Sequence, residues 1–265
     1  MANAGVNVKL PDGSTYTVKE LLGDGDSNIK LTKSDKANVG YLTVGLSLAP
    51  AKLSGYEMCA SRSPGCTQAC LNYAGMGQIK SVQKARIAKT ILFMEQRDIF
   101  MSMMFAELRK HYKRAYKQNK RLACRLNMLS DIPWEKIDRE MFNTFADVQF
   151  YDYTKHEKRM AAFELSRMHQ DSSFFPLNYH LTFSRSETNL KEVSGIYTYK
   201  YANVAVVFDS KDLPVHYAGR EVINGDETDL RFLDKPRVIV GLYAKGKKGR
   251  EDNSGFIVKL GLLKR

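Results

Sequence analysis

Three of the chain's four cysteines fall within twelve residues, as Cys59-Ala-Ser-Arg-Ser-Pro-Gly-Cys66-Thr-Gln-Ala-Cys70. Thiolates are soft ligands, and three of them converging from one Gly/Ser/Pro-containing loop suit an iron–sulfur cluster or zinc. Three ligands are one short of a closed tetrahedral site, and an open coordination position is where metal chemistry takes place. Structural zinc usually draws on close Cys-x2-Cys pairs. Here the gaps are six and three residues and no second pair follows. An iron–sulfur cluster on Cys59, Cys66 and Cys70 is therefore expected, with zinc or no metal as the alternatives. Cys124 lies early in an apolar run, far from its carboxyl end, and is not expected to be a fourth ligand.

The polar residues that follow the other apolar runs form a second set of candidates. Asn127, Ser130 and Asp131 close the run 122–129; Tyr153 and Lys155 close 148–153. Ser184 and Arg185 follow 178–183, and Asp209 follows 203–208; Lys245, Lys247 and Lys248 come after 237–243. In a parallel β/α sheet, functional groups collect at the carboxyl ends of the strands. Asp131, Tyr153, Lys155, Arg185 and Asp209 are thus the candidate catalytic groups. Asn127, Ser130 and Ser184 are the candidate cofactor-binding ones. The five histidines are scattered, and Walker A, Gly-x-Ser-x-Gly and zincin motifs are absent, so hydrolases of those types are not indicated.

The elements that must carry these groups are legible from periodicity. Residues 6–18 read as a β-hairpin around Pro11-Asp12-Gly13. Residues 23–37 are polar and turn-rich and read as a linker, giving an appendage over 1–37 and a main domain over 38–265. The run 39–48 is a first strand, and the cysteine loop follows it. A helical stripe of Ile87, Ile91, Met94, Met101, Phe105, Leu108 and Tyr112 runs through 78–118; its methionines read as core filler. Further helices are expected over 134–146, 156–169 and 187–194, and an edge strand within 256–263. Strand–helix repetition of this kind predicts an α/β fold with a parallel sheet, a partial or complete (β/α) barrel.

The chain has 265 residues, 43% hydrophobic and 26% charged, a soluble globular composition. No apolar run reaches membrane-spanning length, and the first residues lack the basic and apolar regions of a signal peptide. A reducing, intracellular setting without membrane association is expected, with cysteines serving as ligands or free thiols rather than disulfides. A formal charge of +12 favours anionic partners, of which nucleic acid or nucleotides are the commonest. Basic stretches at Arg109–Arg121, interleaved with Tyr112 and Tyr116, and at Lys245–Arg250 are candidate phosphate contacts. No feature sets an oligomeric state.

Two resemblances organise these readings. A three-cysteine loop after the first strand of a β/α barrel resembles the radical S-adenosylmethionine enzymes, although their usual spacing is Cys-x3-Cys-x2-Cys. That resemblance implies a [4Fe-4S] cluster with S-adenosylmethionine as a further candidate cofactor. The block Ser47-Leu-Ala-Pro-Ala, then Cys59-x6-Cys66-x3-Cys70-Leu-Asn-Tyr-Ala, is similar to the central motif of the phage gene product 88 family. Arg125-Leu-Asn-Met-Leu-Ser130-Asp131 and Val148-Gln-Phe-Tyr-Asp-Tyr-Thr-Lys155 resemble its next two blocks, over roughly 40–245 in all. The glycine of that family's Ser-Gly-Asp and its downstream cysteine cluster are missing, so the resemblance does not extend to a second metal site. It implies a phage protein in the cytoplasm of an infected bacterium, associated with nucleic-acid metabolism. The expected activity is that of a radical S-adenosylmethionine-like enzyme on a nucleotide or nucleic acid; the alternative is a zinc-stabilised nucleic-acid-binding accessory protein.

Overall fold

A computed structural model describes residues 5–25, 31, 32, 34 and 40–262. The expected boundary at residues 37 and 38 lies outside the described residues. Strands β1 (Val6–Lys9) and β2 (Thr15–Val18) pair antiparallel, with Gly13 at φ 79° in the connecting turn, where a side chain is disfavoured. Their inward residues Val8 and Val18, with Leu10, join the main core. The hairpin is thus packed on the domain that follows it.

Among the described residues, ten strands make the central sheet. Strand β3 (Leu22–Asp24) opens it, antiparallel to β4 (Tyr41–Leu46), so the stretch expected as a linker begins inside the sheet. Next in the sheet come β5 (Arg121–Arg125), β6 (Gln149–Thr154), β7 (Tyr179–Ser184) and β8 (Asn203–Phe208), each parallel to its predecessor. A tight hairpin follows, β9 (His216–Tyr217) and β10 (Arg220–Asn224), turning through Ala218 and Gly219, both at positive φ. Strand β11 (Ile239–Tyr243) inserts between β8 and β10, parallel to both. Strand β12 (Ile257–Val258) pairs with β8 at Val207 and Phe208. It takes up the β8 edge just beyond the Ser184–Ala205 pairing with β7 and, among the described residues, pairs with β8 alone. The expected mostly parallel α/β sheet with a small N-terminal hairpin is what the chain forms.

Helices cover one face. In chain order the α-helices named here are α1 (Pro64–Gln68), α2 (Lys80–Glu95), α3 (Arg97–Lys117), α4 (Trp134–Ile137), α5 (Arg139–Thr144), α6 (Glu157–His169), α7 (Leu190–Ile196) and α8 (Gly246–Arg250). The single stripe expected over 78–118 is broken at Gln96, whose φ of −135° and ψ of 58° leave the helical region. Arg97 stabilises the break: its Nε donates to the Phe93 carbonyl at 2.7 Å and its guanidinium lies over the Phe93 ring. The break re-phases the apolar face. Phe100, Met104, Leu108 and Ala115 are buried, while Met94 and Tyr112 of the expected stripe are exposed.

Side chains alternate across a strand, and here the alternation separates two environments. Val44, Leu122, Cys124, Phe150, Leu181 and Val206 point into the main core with Leu92, Phe100 and Phe163 of the helices. Each such fully buried large side chain contributes about 1.5–3 kcal/mol relative to exposure. The opposite face carries Tyr41, Ala123 and Tyr151, covered by Leu230 and Phe232 from the connection between β10 and β11. The same alternation points Cys124 away from the cysteine loop, into the core.

Candidate functional site

The cysteine loop is built by local chemistry and then tied down by distant strand ends. Ser63, extended at φ −94° and ψ 167°, caps α1 by accepting the Cys66 amide at 3.1 Å, and Pro64 occupies the first helical turn. Glu187, just beyond β7, accepts the Gly65 amide at 2.7 Å and the Ser63 hydroxyl at 2.6 Å. Gly65 is required for this approach: a Cβ there would stand 2.5 Å from that of Phe256 and collide with Ser254. The Cys59 thiol donates to the Leu129 carbonyl at 3.3 Å, and the Asp131 amide donates to the Met58 carbonyl at 2.9 Å. Ser61 and His156 Nδ1 share a hydrogen bond at 3.0 Å. Loops after β5, β6 and β7 therefore each hold the cysteine loop.

Cys59, Cys66 and Cys70 line one pocket at the carboxyl ends of the parallel strands. Asn127, Ser130 and Asp131 join them from the loop after β5, and Tyr153, Lys155 and Ser184 from the ends of β6 and β7. Val207, Leu242 and Phe256 give the pocket an apolar side. Arg185 and Asp209 are not among its lining residues. Arg185 donates to the carbonyls of Gly255 and Phe256, at 2.9 and 3.0 Å, and Asp209 accepts the Leu260 amide at 3.0 Å. Both fasten the C-terminal segment. Among the described residues, no helix is long and apolar enough to cross a membrane.

A family model described as gene product 88 matches residues 20–260, from just before β3 to just past β12. The chain belongs to the gene product 88 family. No curated protein and no solved structure matches it.

Within this gene product 88 protein, several expected site residues are engaged in holding the site together. Asn127 Oδ1 accepts from Ser130 Oγ, the Ile132 amide and Trp134 Nε1, at 2.8, 3.0 and 3.2 Å. Its Nδ2 donates to the Ile132 carbonyl and to Asp152 at 3.0 and 3.1 Å. Asp131 accepts the Lys155 amide at 2.8 Å and Arg159 Nη1 at 3.0 Å. Arg159 in turn makes a bidentate pair with Glu135, at 3.0 and 2.9 Å. Burial opposes the charge of Arg159, but Tyr179, Glu135 and Asp131 around it more than offset that and hold its pKa above the ordinary value.

The Lys155 ammonium faces the pocket more freely. It donates to Ser184 Oγ at 3.0 Å, lies 5.8 Å from the Phe256 ring centre, and has no carboxylate partner among the described residues. Arg125, on the deep side, is paired with Asp229 at 2.5 Å and lies over the Tyr153 ring. Lys245 reaches Asp226 at 2.8 Å across the rim. Lys245 was visible in sequence as a cation near a strand end, and Arg125 as part of a block resembling the family; Glu187 and Asp229 gave no sequence signal because their partners lie 122 and 104 residues away.

Burial pushes the Cys59 thiol up to about 12, and the neighbouring Cys70, Cys66 and Asp131 add to this while the Ala51 amide opposes it. Cys70 is also raised by burial, against the pull of the Asn72 amide, Arg86 and Lys155. Among the described residues, no three His, Cys, Asp or Glu side chains are grouped closely enough to hold a single metal ion. The three cysteine sulfurs, with Arg86 and Lys155 within electrostatic reach of Cys70, are soft donors of the kind that an iron–sulfur cluster or zinc takes.

Proposed function

We propose that this gene product 88 protein holds a [4Fe-4S] cluster on Cys59, Cys66 and Cys70 and acts as a radical S-adenosylmethionine-like enzyme on a nucleotide or nucleic acid. The observation that carries the reading is one of position: the loop after the first parallel strand brings three thiols to the pocket at the strands' carboxyl ends. Six parallel strands, β4 to β8 and then β11, neighbour one another in chain order, which supports a partial-barrel arrangement around that pocket. The chemistry such a group supplies when bound is one-electron transfer.

The chain's own residues would do the following. Glu187 and Asp131 fix the cysteine loop and the Lys155 backbone. Lys155 presents an ammonium to an acceptor oxygen of the ligand, and Ser184 orients it. Val207, Leu242 and Phe256 keep water from one side of the ligand. Partners are expected to be anionic because of the net charge of +12. The setting proposed is the cytoplasm of a phage-infected bacterium.

Anaerobic purification followed by metal and sulfide analysis tests the reading. Bound iron and acid-labile sulfide in near-equal amounts, with broad visible absorbance lost on oxidation, is the expected result. A colourless protein with one zinc per chain would favour the accessory-protein alternative and overturn this one.

A further inference from the structure

Behind the pocket, the sheet face opposite the helices is polar, which is unusual for a sheet interior. Alternation places Arg125 on β5, Tyr151 and Tyr153 on β6, and Thr182 on β7 on this face, and Tyr153 and Thr182 are direct neighbours in register. The connection between β10 and β11 crosses it. Asp229 pairs with Arg125, Phe232 meets Tyr151 edge-on at 5.4 Å, and Arg231 pairs with Asp234 at 3.2 Å. Arg125, Tyr151, Thr182 and Arg231 are 5%, 0%, 0% and 1% exposed, so bulk solvent does not reach them.

Yet several of their polar atoms have no hydrogen-bond partner among the described residues. These are Nε of Arg125, the hydroxyls of Tyr151, Tyr153 and Thr182, and Nε of Arg231. A buried polar atom left unsatisfied costs about 1–3 kcal/mol, and native folds rarely leave several together without a bridging molecule. The chemistry of the group decides which molecule. Two guanidiniums face two carboxylates, so the charge is balanced and calls for no ion. Guanidinium N–H groups only donate, whereas hydroxyls donate and accept. Water supplies acceptors to the first and both roles to the second.

We infer that ordered water molecules bridge Arg125, Tyr151, Tyr153, Thr182 and Arg231 between the sheet and residues 229–234, and that this hydrated chamber adjoins the floor of the cysteine pocket. The continuity follows from Arg125 and Tyr153, which belong both to the chamber and to the pocket lining. A ligand reaching the deep end of the pocket meets hydrogen-bonding water there. This inference stands without any cluster.

The sign of two substitutions in the full chain tests it. Thr182→Val and Tyr151→Phe each delete a hydroxyl with little change of shape. If water bridges the chamber, each variant loses bonds, and its thermal midpoint falls by about 2–4 °C per substitution. If the chamber is dry, removing an unsatisfied hydroxyl leaves the midpoint unchanged or raises it, and the inference fails. A high-resolution crystal structure of the unmodified chain is the second readout, independent of how the variants fold. Waters within hydrogen-bond distance of Thr182 Oγ1, Tyr151 Oη and Arg231 support the inference; an empty chamber, or an anion between the two guanidiniums, overturns it.

Discussion

The carboxylate of Glu187 accepts the backbone amide of Gly65 at 2.7 Å, joining the end of β7 to the middle of the cysteine loop. The same carboxylate takes the hydroxyl of Ser63, the residue that caps α1. One side chain thus sets the position of the turn from which Cys66 and Cys70 emerge. Glu187→Ala should leave the sheet folded, with unchanged far-ultraviolet circular dichroism, but reduce iron bound on anaerobic reconstitution by at least about half. Iron retention equal to the unmodified protein would show that the loop is positioned without Glu187.

Gly65→Ala tests the same contact from the other side. The added methyl would overlap Ser254 and Phe256, and overpacking of this kind costs about 1–3 kcal/mol. Urea unfolding should report that loss with an unchanged dependence on denaturant. No change in midpoint would mean that the loop can move away from residues 254–256 at no cost.

Asn127 ties the floor of the site together from within the protein. Its side-chain amide holds Ser130, Ile132, Trp134 and Asp152 at once. Asn127→Ala leaves several buried partners unsatisfied and should destabilise the chain by about 3–5 kcal/mol. A loss below about 1 kcal/mol in chemical denaturation would show that the loop re-pairs without it.

Lys155 offers the opposite case, a charge not needed for folding. Lys155→Met should change stability by less than about 0.5 kcal/mol and leave iron content intact. It should weaken binding of a nucleotide such as a nucleoside monophosphate roughly tenfold, the loss of one charge-assisted hydrogen bond. Equal affinity in calorimetry would remove Lys155 from the ligand site.

The buried thiol of Cys59 gives a pH signature in the metal-free protein. Burial raises its pKa from 9.0 to about 12, so the native chain keeps a proton that the unfolded chain gives up. Between those values the native state binds more protons, and stability must fall as pH rises. Relative to Cys59→Ser, stability should be level below about pH 9 and decline above it. A difference that stays flat to pH 11 would show that Cys59 ionises normally.

Much of this fold was legible because its strands are short apolar runs closed by polar residues. The runs at 122–129, 148–153, 178–183 and 203–208 mark β5 to β8 to within a few residues. The gathering of Ser130, Asp131, Tyr153, Lys155 and Ser184 beside the three cysteines follows from strand direction alone, which a parallel sheet fixes. What sequence could not show were pairings between distant residues. Glu187 with Gly65 and Arg125 with Asp229 leave no local pattern, so the anchoring of the loop and the covering of the opposite sheet face appear only in three dimensions. The break at Gln96 was hidden because the apolar spacing continues through it, and the local Arg97 contacts with Phe93 that stabilise it carry no sequence signature. Arg185 and Asp209 follow strands as expected, but the returning C-terminal segment captures them before they can face the pocket.

Iron stoichiometry measured cysteine by cysteine tests the central claim most directly. Anaerobically reconstituted protein should carry about four iron and four sulfide per chain. Cys59→Ala, Cys66→Ala and Cys70→Ala should each abolish that binding, while Cys124→Ala, whose thiol is buried in the core away from the pocket, should retain it in whatever fraction stays folded. Iron binding that survives loss of any one of the three pocket cysteines, or that never forms in the unmodified chain, would contradict the account.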